Sequence, residues 1–464
     1  MKNDEVIKFF DRYSFYTDDK IQRDIKNNRM GAFLLELVDS EGNPINNAKV
    51  HINQVSHDFK FGCSLFLLDE LETEEKNQKY REYFKKCFNY SVVPLYWNTL
   101  EPTPGNYRFA KDCEKIYRRP PIDLITEFCK ENKIKMKGHC LMYNSFNPDW
   151  MPEDHRELKI AVDKRLKALS EHCGNDFDDV DVINELFGLY RCTHGDVGAG
   201  TRRYPISDEK DHVNWCFNEA KKYFPFSKLH WNEGCFEIFG GAYSGEKSYY
   251  YMMLEKYLNQ GVPIEAIGMQ FHAFGQRGTF EKQIYNPVRL MDIFDKYSEF
   301  GLPIHLSEVS IPSYSNGEED EYIQAELVKR MVSLWFAQKN IEAVVWWNLV
   351  DGTAYPPENV YHAGLLRNDM TPKPAYNELC KLINEVWHTE FDTECINENV
   401  ISFNGFYGDY EVTVEKDGIK TKHTVSLNKD NTGYHHDFKE YGLRKIKIKN
   451  NRPKESNPNP PEKA

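Results

Sequence analysis

Eight short apolar runs of strand type alternate with longer stretches between about residues 58 and 386. The runs are FKFGCSL (59–65), SVVPLYW (91–97), IKMKGHCLM (134–142), DVDVINE (179–185), KLHWNE (228–233), AIGMQFH (266–272), PIHLSEVS (303–310) and AVVWWNLV (343–350). The stretches between them, such as EKNQKYREYFKKCFN and DEYIQAELVKRMVSLWFAQ, carry apolar residues at three- and four-residue spacing, the period of a half-buried helix. Strand–helix alternation repeated eight times predicts an α/β fold of one kind, a (β/α)8 TIM barrel, over residues 57–388.

The rest of the 464-residue chain reads differently. Residues 1–30 predict an N-terminal helical segment. Residues 31–56 hold two strand-like runs around the turn-rich DSEGNP, a hairpin too short to be stable alone. After residue 390 the period changes to two, in YEVTVEKDGIKTKHTVSL and LRKIKIK. The expectation is a small accessory antiparallel β-domain, sandwich-like, over 389–450, with the 31–56 hairpin packing on it. The polar, Pro-rich 451–464 is expected to be a disordered tail.

Composition narrows the function. A net charge of −13 argues against nucleic-acid binding, which needs concentrated Lys and Arg. No run of about 18 apolar residues predicts a membrane span. The opening MKNDEVIKFFDRYSFY lacks a secretory leader's apolar core, and the eleven cysteines include no CxxC pair. A cytoplasmic enzyme with buried thiols is expected, with neither a metal nor an organic cofactor implied.

In a (β/α)8 barrel, chemistry collects at the C-terminal ends of the strands. Here those ends carry polar groups after apolar starts: His139 and Tyr143 on the third run, Asn184-Glu185 on the fourth and Asn232-Glu233 on the fifth. Gln270 and His272 close the sixth, Glu308 the seventh, and Trp346-Trp347-Asn348 the eighth. Each has a plain alternative, since a strand-end His is often a satisfied core residue and Glu233 reads as a simple surface acid. Core packing alone does not explain the coincidence. Glu185 and Glu308 belong to the fourth and seventh strands, on opposite sides of the mouth, where a sugar fits between them. Glycoside cleavage needs such a pair, one to protonate the leaving oxygen and one at the anomeric carbon.

The barrel segment resembles glycoside hydrolase family 10, the endo-1,4-β-xylanase family. The resemblance rests on WNTLEPTPGNYRF, GHCLMYNSFNPDW, DVINE, GMQFH, HLSEVSI, VWWNLVD and LLRNDMTPKPAY, in that order along the chain. It implies a retaining double displacement with Glu185 as acid/base and Glu308 as nucleophile. It further implies Asn184 at the sugar 2-hydroxyl, and His139 and Gln270 binding hydroxyls or orienting the carboxylates. His272 would bond the nucleophile, Trp347 would floor the cleaved sugar, and Asn232 would line the acid/base side. Glu101-Pro102 and Asp351 are expected to make structural loop or rim contacts.

Departures from the family pattern cluster on one side of the cleft. Tyr96 stands where relatives carry Lys, Tyr143 where they carry Trp, Phe146 where they carry Gln, Tyr355 where they carry Trp, and Ser310 where they carry Asp. Tyr96, Tyr143 and Tyr355 are therefore expected to bind sugar by ring contact, and His272 to be neutral more often than in relatives, lacking a charged partner at 310. The expected substrate is β-1,4-xylan or xylo-oligosaccharide. The alternatives are another β-linked glycan, such as a β-glucan or decorated xylan, or a barrel that binds carbohydrate without cleaving it.

Overall fold

The structure is a computed structural model that describes residues 6–187, 204–241, 245–274, 281–432 and 443–448. The expected tail at 451–464 lies outside them. Strands β1 (Met30–Asp39) and β2 (Ala48–His57) precede eight barrel strands: β3 (Lys60–Ser64), β4 (Tyr90–Pro94), β5 (Lys135–Tyr143), β6 (Asp179–Asn184), β7 (Lys228–Gly234), β8 (Ala266–His272), β9 (Ile304–Ser310) and β10 (Ile341–Trp346). These eight close in sequence order, with β10 against β3, and every ladder is parallel. The fold is a (β/α)8 TIM barrel. Two runs end earlier than their apolar content suggests. Trp97–Leu100 turns into a short helix, and the chain leaves the sheet after Trp346.

The covering helices form for local reasons. Asp154 starts His155–Cys173 by accepting the amides of Arg156 and Glu157. That helix buries Leu158, Val162, Leu166, Leu169 and Cys173, a single stripe at helical spacing. The N-terminal helices Ile7–Asp11 and Ser14–Arg29 are held to the barrel unit by Arg330 with Asp11 at 2.8 Å and by Asn28 on the Ala337 carbonyl at 2.8 Å. Among the described residues no helix is long and apolar enough to cross a membrane.

Charge sits deep inside the barrel. Lys60 pairs with Asp179, which also accepts from the Tyr90 hydroxyl and faces His230 at 2.8 Å. One layer higher, Lys137 pairs with Asp181 at 2.7 Å, and Asp181 holds His139 Nδ1 at 2.8 Å. Buried charges persist only when paired in this way.

Residues 29–58 and the described residues from Trp387 onward form a second compact unit. It adds β11 (Glu390–Cys395), β12 (Val400–Phe406), β13 (Gly408–Lys416), β14 (Ile419–Leu427) and β15 (Leu443–Ile448). The expected 31–56 hairpin is not one. β1 lies between β12 and β15, whereas β2 lies between β11 and β13 in another sheet. The strands separate because each presents an alternating apolar face, and Phe33, Leu35 and Leu37 of β1 share one core with Val50 and Ile52 of β2. Ladders are antiparallel except β1–β15, which is parallel. Tyr410 is fully buried in that core.

Gly268 links the barrel to its site. A Cβ there would stand 2.4 Å from Asn232 Oδ1 and 3.0 Å from the Asn232 Cα. Gly268→Ala should therefore lower stability by about 1–3 kcal/mol in urea unfolding and displace Asn232.

Candidate active site

Glu185 follows β6 directly and has a left-handed backbone, φ +50°, uncommon for a residue with a Cβ. Its amide donates to the Asn232 carbonyl at 2.9 Å. Its carboxylate accepts from the Tyr143 hydroxyl at 2.7 Å and from Gln270 Nε2 at 2.9 Å. Glu308, on β9, is only 3% exposed. It accepts from Asn232 Nδ2 at 2.8 Å and Gln270 Nε2 at 3.0 Å, and faces His272 Nε2 at 3.1 Å. One amide nitrogen thus serves both carboxylates, using its two N–H groups. Each carboxylate's Oε1 is the atom bonded, so the two oxygens are no farther apart than those bonds laid end to end, about 6 Å.

The other expected residues fall into three groups. Asn184, His139, His272 and Trp347 converge on this pair. Asn184 Oδ1 accepts from Asn232 at 2.8 Å, and its own amide N–H groups bond no other described residue. His139 Nε2 is 4.0 Å from Glu308, with the ring held from behind by Asp181. Trp347 is 7% exposed and meets His139 and His272 edge-on, while Trp346 is buried on the opposite face, its indole on the Ala363 carbonyl. Asn232 lies beneath the pair. It is wholly buried, and its amide bonds Asn184, Glu308 and Ser307, so it orients Glu308 and Asn184. Tyr355 is 47% exposed, with its ring open to solvent. Tyr143 and Tyr96 belong to an aromatic group with Phe66 and Phe146. Tyr143 also holds Glu185. Tyr96 is buried like Trp347, and the Arg119 guanidinium lies 4.0 Å over its ring.

His272 sits between Ser310 and Glu308. Ser310 Oγ lies 3.0 Å from Nδ1 and brings no charge. Burial alone would lower the ring's pKa, but the hydrogen bond and charge of Glu308, with Glu358 and Glu185 farther off, outweigh it, and the pKa is raised. His272 is therefore charged to higher pH than an ordinary histidine. Asp181 shows the same balance in reverse. Burial opposes its charge, yet Lys137 and His139 hold its pKa down at about 2. Burial keeps Tyr143 well above an ordinary phenol, so it remains a donor to Glu185.

Glu101 and Asp351 make loop contacts. Glu101 accepts from the Trp97 indole and the Gly105 amide, each at 2.7 Å, and Asp351 pairs with Lys373 at 2.7 Å. Asp179, His230 and His305 bring ligand-type atoms within 4.8 Å of one another on the barrel floor. The Lys60 ammonium already holds Asp179, so a cation there would meet a positive charge and not a free carboxylate.

Glu233, read as a surface acid, is buried. Its Oε1 accepts the Leu186 amide at 2.7 Å and the Trp231 indole at 2.8 Å; Oε2 faces the Phe187 amide at 3.3 Å. It pins the turn that gives Glu185 its left-handed backbone. Burial pushes its pKa up to about 8 against those three donors. The available signal was its register. Strand alternation sends Glu233 away from Asn232, into the apolar helix layer, where an acid needs partners.

Two carboxylates converging at the C-terminal mouth of a (β/α)8 barrel, with an indole beside them, make the site of a glycoside hydrolase domain. The chain belongs to glycosyl hydrolase family 10, whose model matches residues 53–382. Anti-sigma-I factor RsgI6 of Acetivibrio thermocellus is 26% identical over 404 residues, covering 85% of this chain and 46% of that protein. Endo-1,4-beta-xylanase B of Thermotoga neapolitana is 23% identical over 326 residues, covering 66% and 84%. Native xylanase 10B from Thermotoga maritima shares the barrel with a TM-score of 0.55 at 21% identity, covering 71% of this chain and 96% of that one. The chain thus spans less than half the length of RsgI6.

Glu233 gives a test of the turn. Its raised pKa means the folded state binds a proton more tightly than the unfolded chain. The stability this brings is present below about pH 4.5 and fades as pH rises toward about 8. Glu233→Gln should gain stability relative to the parent across that range in urea titrations. Glu233→Leu, which strands two backbone amides, should lower kcat at least about tenfold.

Proposed function

We propose that the chain is a retaining β-glycosidase acting on β-1,4-xylan or xylo-oligosaccharides, with Glu185 and Glu308 as its catalytic pair. The observation that carries this is Gln270 Nε2 bonded to both carboxylates. Retaining sites hold their carboxyl groups about 5–5.5 Å apart and inverting sites about 6.5–9.5 Å, and the amide shared by the two carboxylates supports the shorter spacing.

In the first step Glu308 attacks the anomeric carbon, the glycosidic C–O bond breaks, and Glu185 delivers its proton to the leaving oxygen. In the second, water attacks the same carbon, Glu185 takes its proton, and the bond to Glu308 breaks. Three donors fix Glu308 for attack: Asn232, Gln270 and His272. Tyr143 and Gln270 fix Glu185. Asn184 has amide protons left for the sugar 2-hydroxyl, and Trp347 supplies a flat apolar surface for the ring face.

The family is one of xylanases, and xylanase 10B from Thermotoga petrophila, a structural neighbour with a TM-score of 0.54, was solved in complex with xylobiose. These support the substrate class. A second reading has an observation of its own. The match to RsgI6, named an anti-sigma factor, covers 85% of this chain and so extends beyond the family model. In that reading the barrel serves to bind glycan as a signal.

Product analysis over a panel of β-1,4-linked xylans and glucans separates the cases. The proposal expects shortened xylo-oligosaccharides, and Glu308→Ala should lower turnover by about a thousandfold or more. Turnover unchanged by Glu308→Ala removes the nucleophile assignment. Glycan binding without turnover by the parent chain favours the signal-binding reading.

A further inference from the structure

The connection between β4 and the helix Ile122–Glu131 brings two consecutive arginines to the aromatic side of the site. Arg118 adopts a left-handed backbone, φ +63°. Both guanidiniums stand over the Phe66 ring, each 5.6 Å from its centroid. Arg119 also lies 4.0 Å over Tyr96 and 5.2 Å over Phe146. Their acceptors are neutral. Arg118 Nη1 donates to Asn348 Oδ1 at 2.9 Å and to the Thr353 carbonyl, and Arg119 Nη1 donates to the Arg118 carbonyl at 2.7 Å. Among the described residues neither guanidinium has a carboxylate within ion-pair distance, and no acceptor is found for Arg119 Nε or Nη2. The acid next to Arg118, Glu358, bonds the other side of Asn348 at 3.3 Å.

Two half-buried charges side by side repel one another, and the burial that packs them on aromatic rings removes water that would screen them. Burial, followed by lesser effects that include Arg118 itself, lowers the pKa of Arg119 to about 10. Glu358 offsets part of this cost at Arg118, and a further anion beside Arg119 would offset the rest.

The place of the pair says which anion. Phe66 and Tyr96 pack in one cluster with Trp347, against which Tyr143 and Phe146 lie. Tyr143 bonds Glu185, and Trp347 meets His272. Asn348, which Arg118 holds, is the residue after Trp347. A sugar chain lying along Trp347 would pass this edge, and a planar guanidinium clamped on a ring matches a carboxylate fork to fork.

We propose that Arg118 and Arg119 form an anion-recognising subsite beside the catalytic pair, and that the preferred glycan carries a carboxylate, as a uronosyl unit or branch on the β-1,4-linked chain. This rests on the glycosidase reading for its orientation but is tested apart from it.

The full chain is assayed with two xylo-oligosaccharides of equal length, one neutral and one bearing a single uronosyl branch. kcat/KM and calorimetric binding are measured on both at low salt. The acidic-to-neutral ratio should exceed about ten and shrink as salt is added. Arg119→Leu, which keeps apolar packing on the rings, should bring the ratio to within about twofold of unity; Arg119→Lys should keep an intermediate ratio by retaining charge without the fork. Circular dichroism confirms that each variant is folded, and Arg118→Gln gives an independent second variant. A parent ratio near one overturns the proposal, as does a ratio that Arg119→Leu and Arg118→Gln leave unchanged. A sulfated branch preferred as strongly as the uronosyl one overturns the assignment to a carboxylate. Absence of turnover on both oligosaccharides counts against the glycosidase reading alone, because the binding ratio still reports on the arginines.

Discussion

One amide nitrogen holds two carboxylates together. Glu185 and Glu308 come from β6 and β9, with β7 and β8 between them, and two acids in a partly dry cup repel each other. Gln270 Nε2 bonds both, and its side chain is itself buried on β8 between them. Much of the surrounding polar structure serves this contact. Asn232 fixes Glu308 and Asn184, Ser307 fixes Asn232, and Gly268 gives Asn232 its room. The Lys137–Asp181–His139 chain places an imidazole under Glu308.

The second support is backbone. Glu185 leaves the strand in a conformation that costs free energy, and buried Glu233 holds the following turn through two amides. A site of this type is over-determined. Its acidic residues differ less in chemistry than in what surrounds them: Glu308 meets three donors, Glu185 meets a phenol and an amide, and Glu233 is buried deeply enough to hold its proton near neutral pH.

Much of this could be read from the sequence. The eight barrel strands were marked by β-branched and aromatic runs between helical stretches, because a parallel barrel strand is buried on both faces and leaves a continuous apolar signature. Glu185, Glu308, Gln270 and His272 stand at or near the ends of such runs, and the structure brings them together. What failed was decided by contacts distant in sequence. β1 and β2 look like a hairpin, but pairing is set by β12, β13 and β15, hundreds of residues away. Asn232 shares the strand-end position of Asn184, yet only the neighbouring Ser307 and Glu308 show that its amide is already engaged. At His272 the neutral Ser310 was legible, but the burial and the Glu308 contact that act on its charge were not. Arg118 and Arg119 carried no signal, because a loop arginine gains meaning only from the rings beneath it.

The central claim is that Glu185 and Glu308 are close enough for a covalent double displacement. The most direct measurement is the anomeric configuration of the first product, followed by proton NMR during early hydrolysis of a β-1,4-linked xylo-oligosaccharide. The account predicts that the β-anomer forms first and that the α-anomer grows in only at the rate of mutarotation. An α-anomer formed first would mean a single displacement by water and would contradict it.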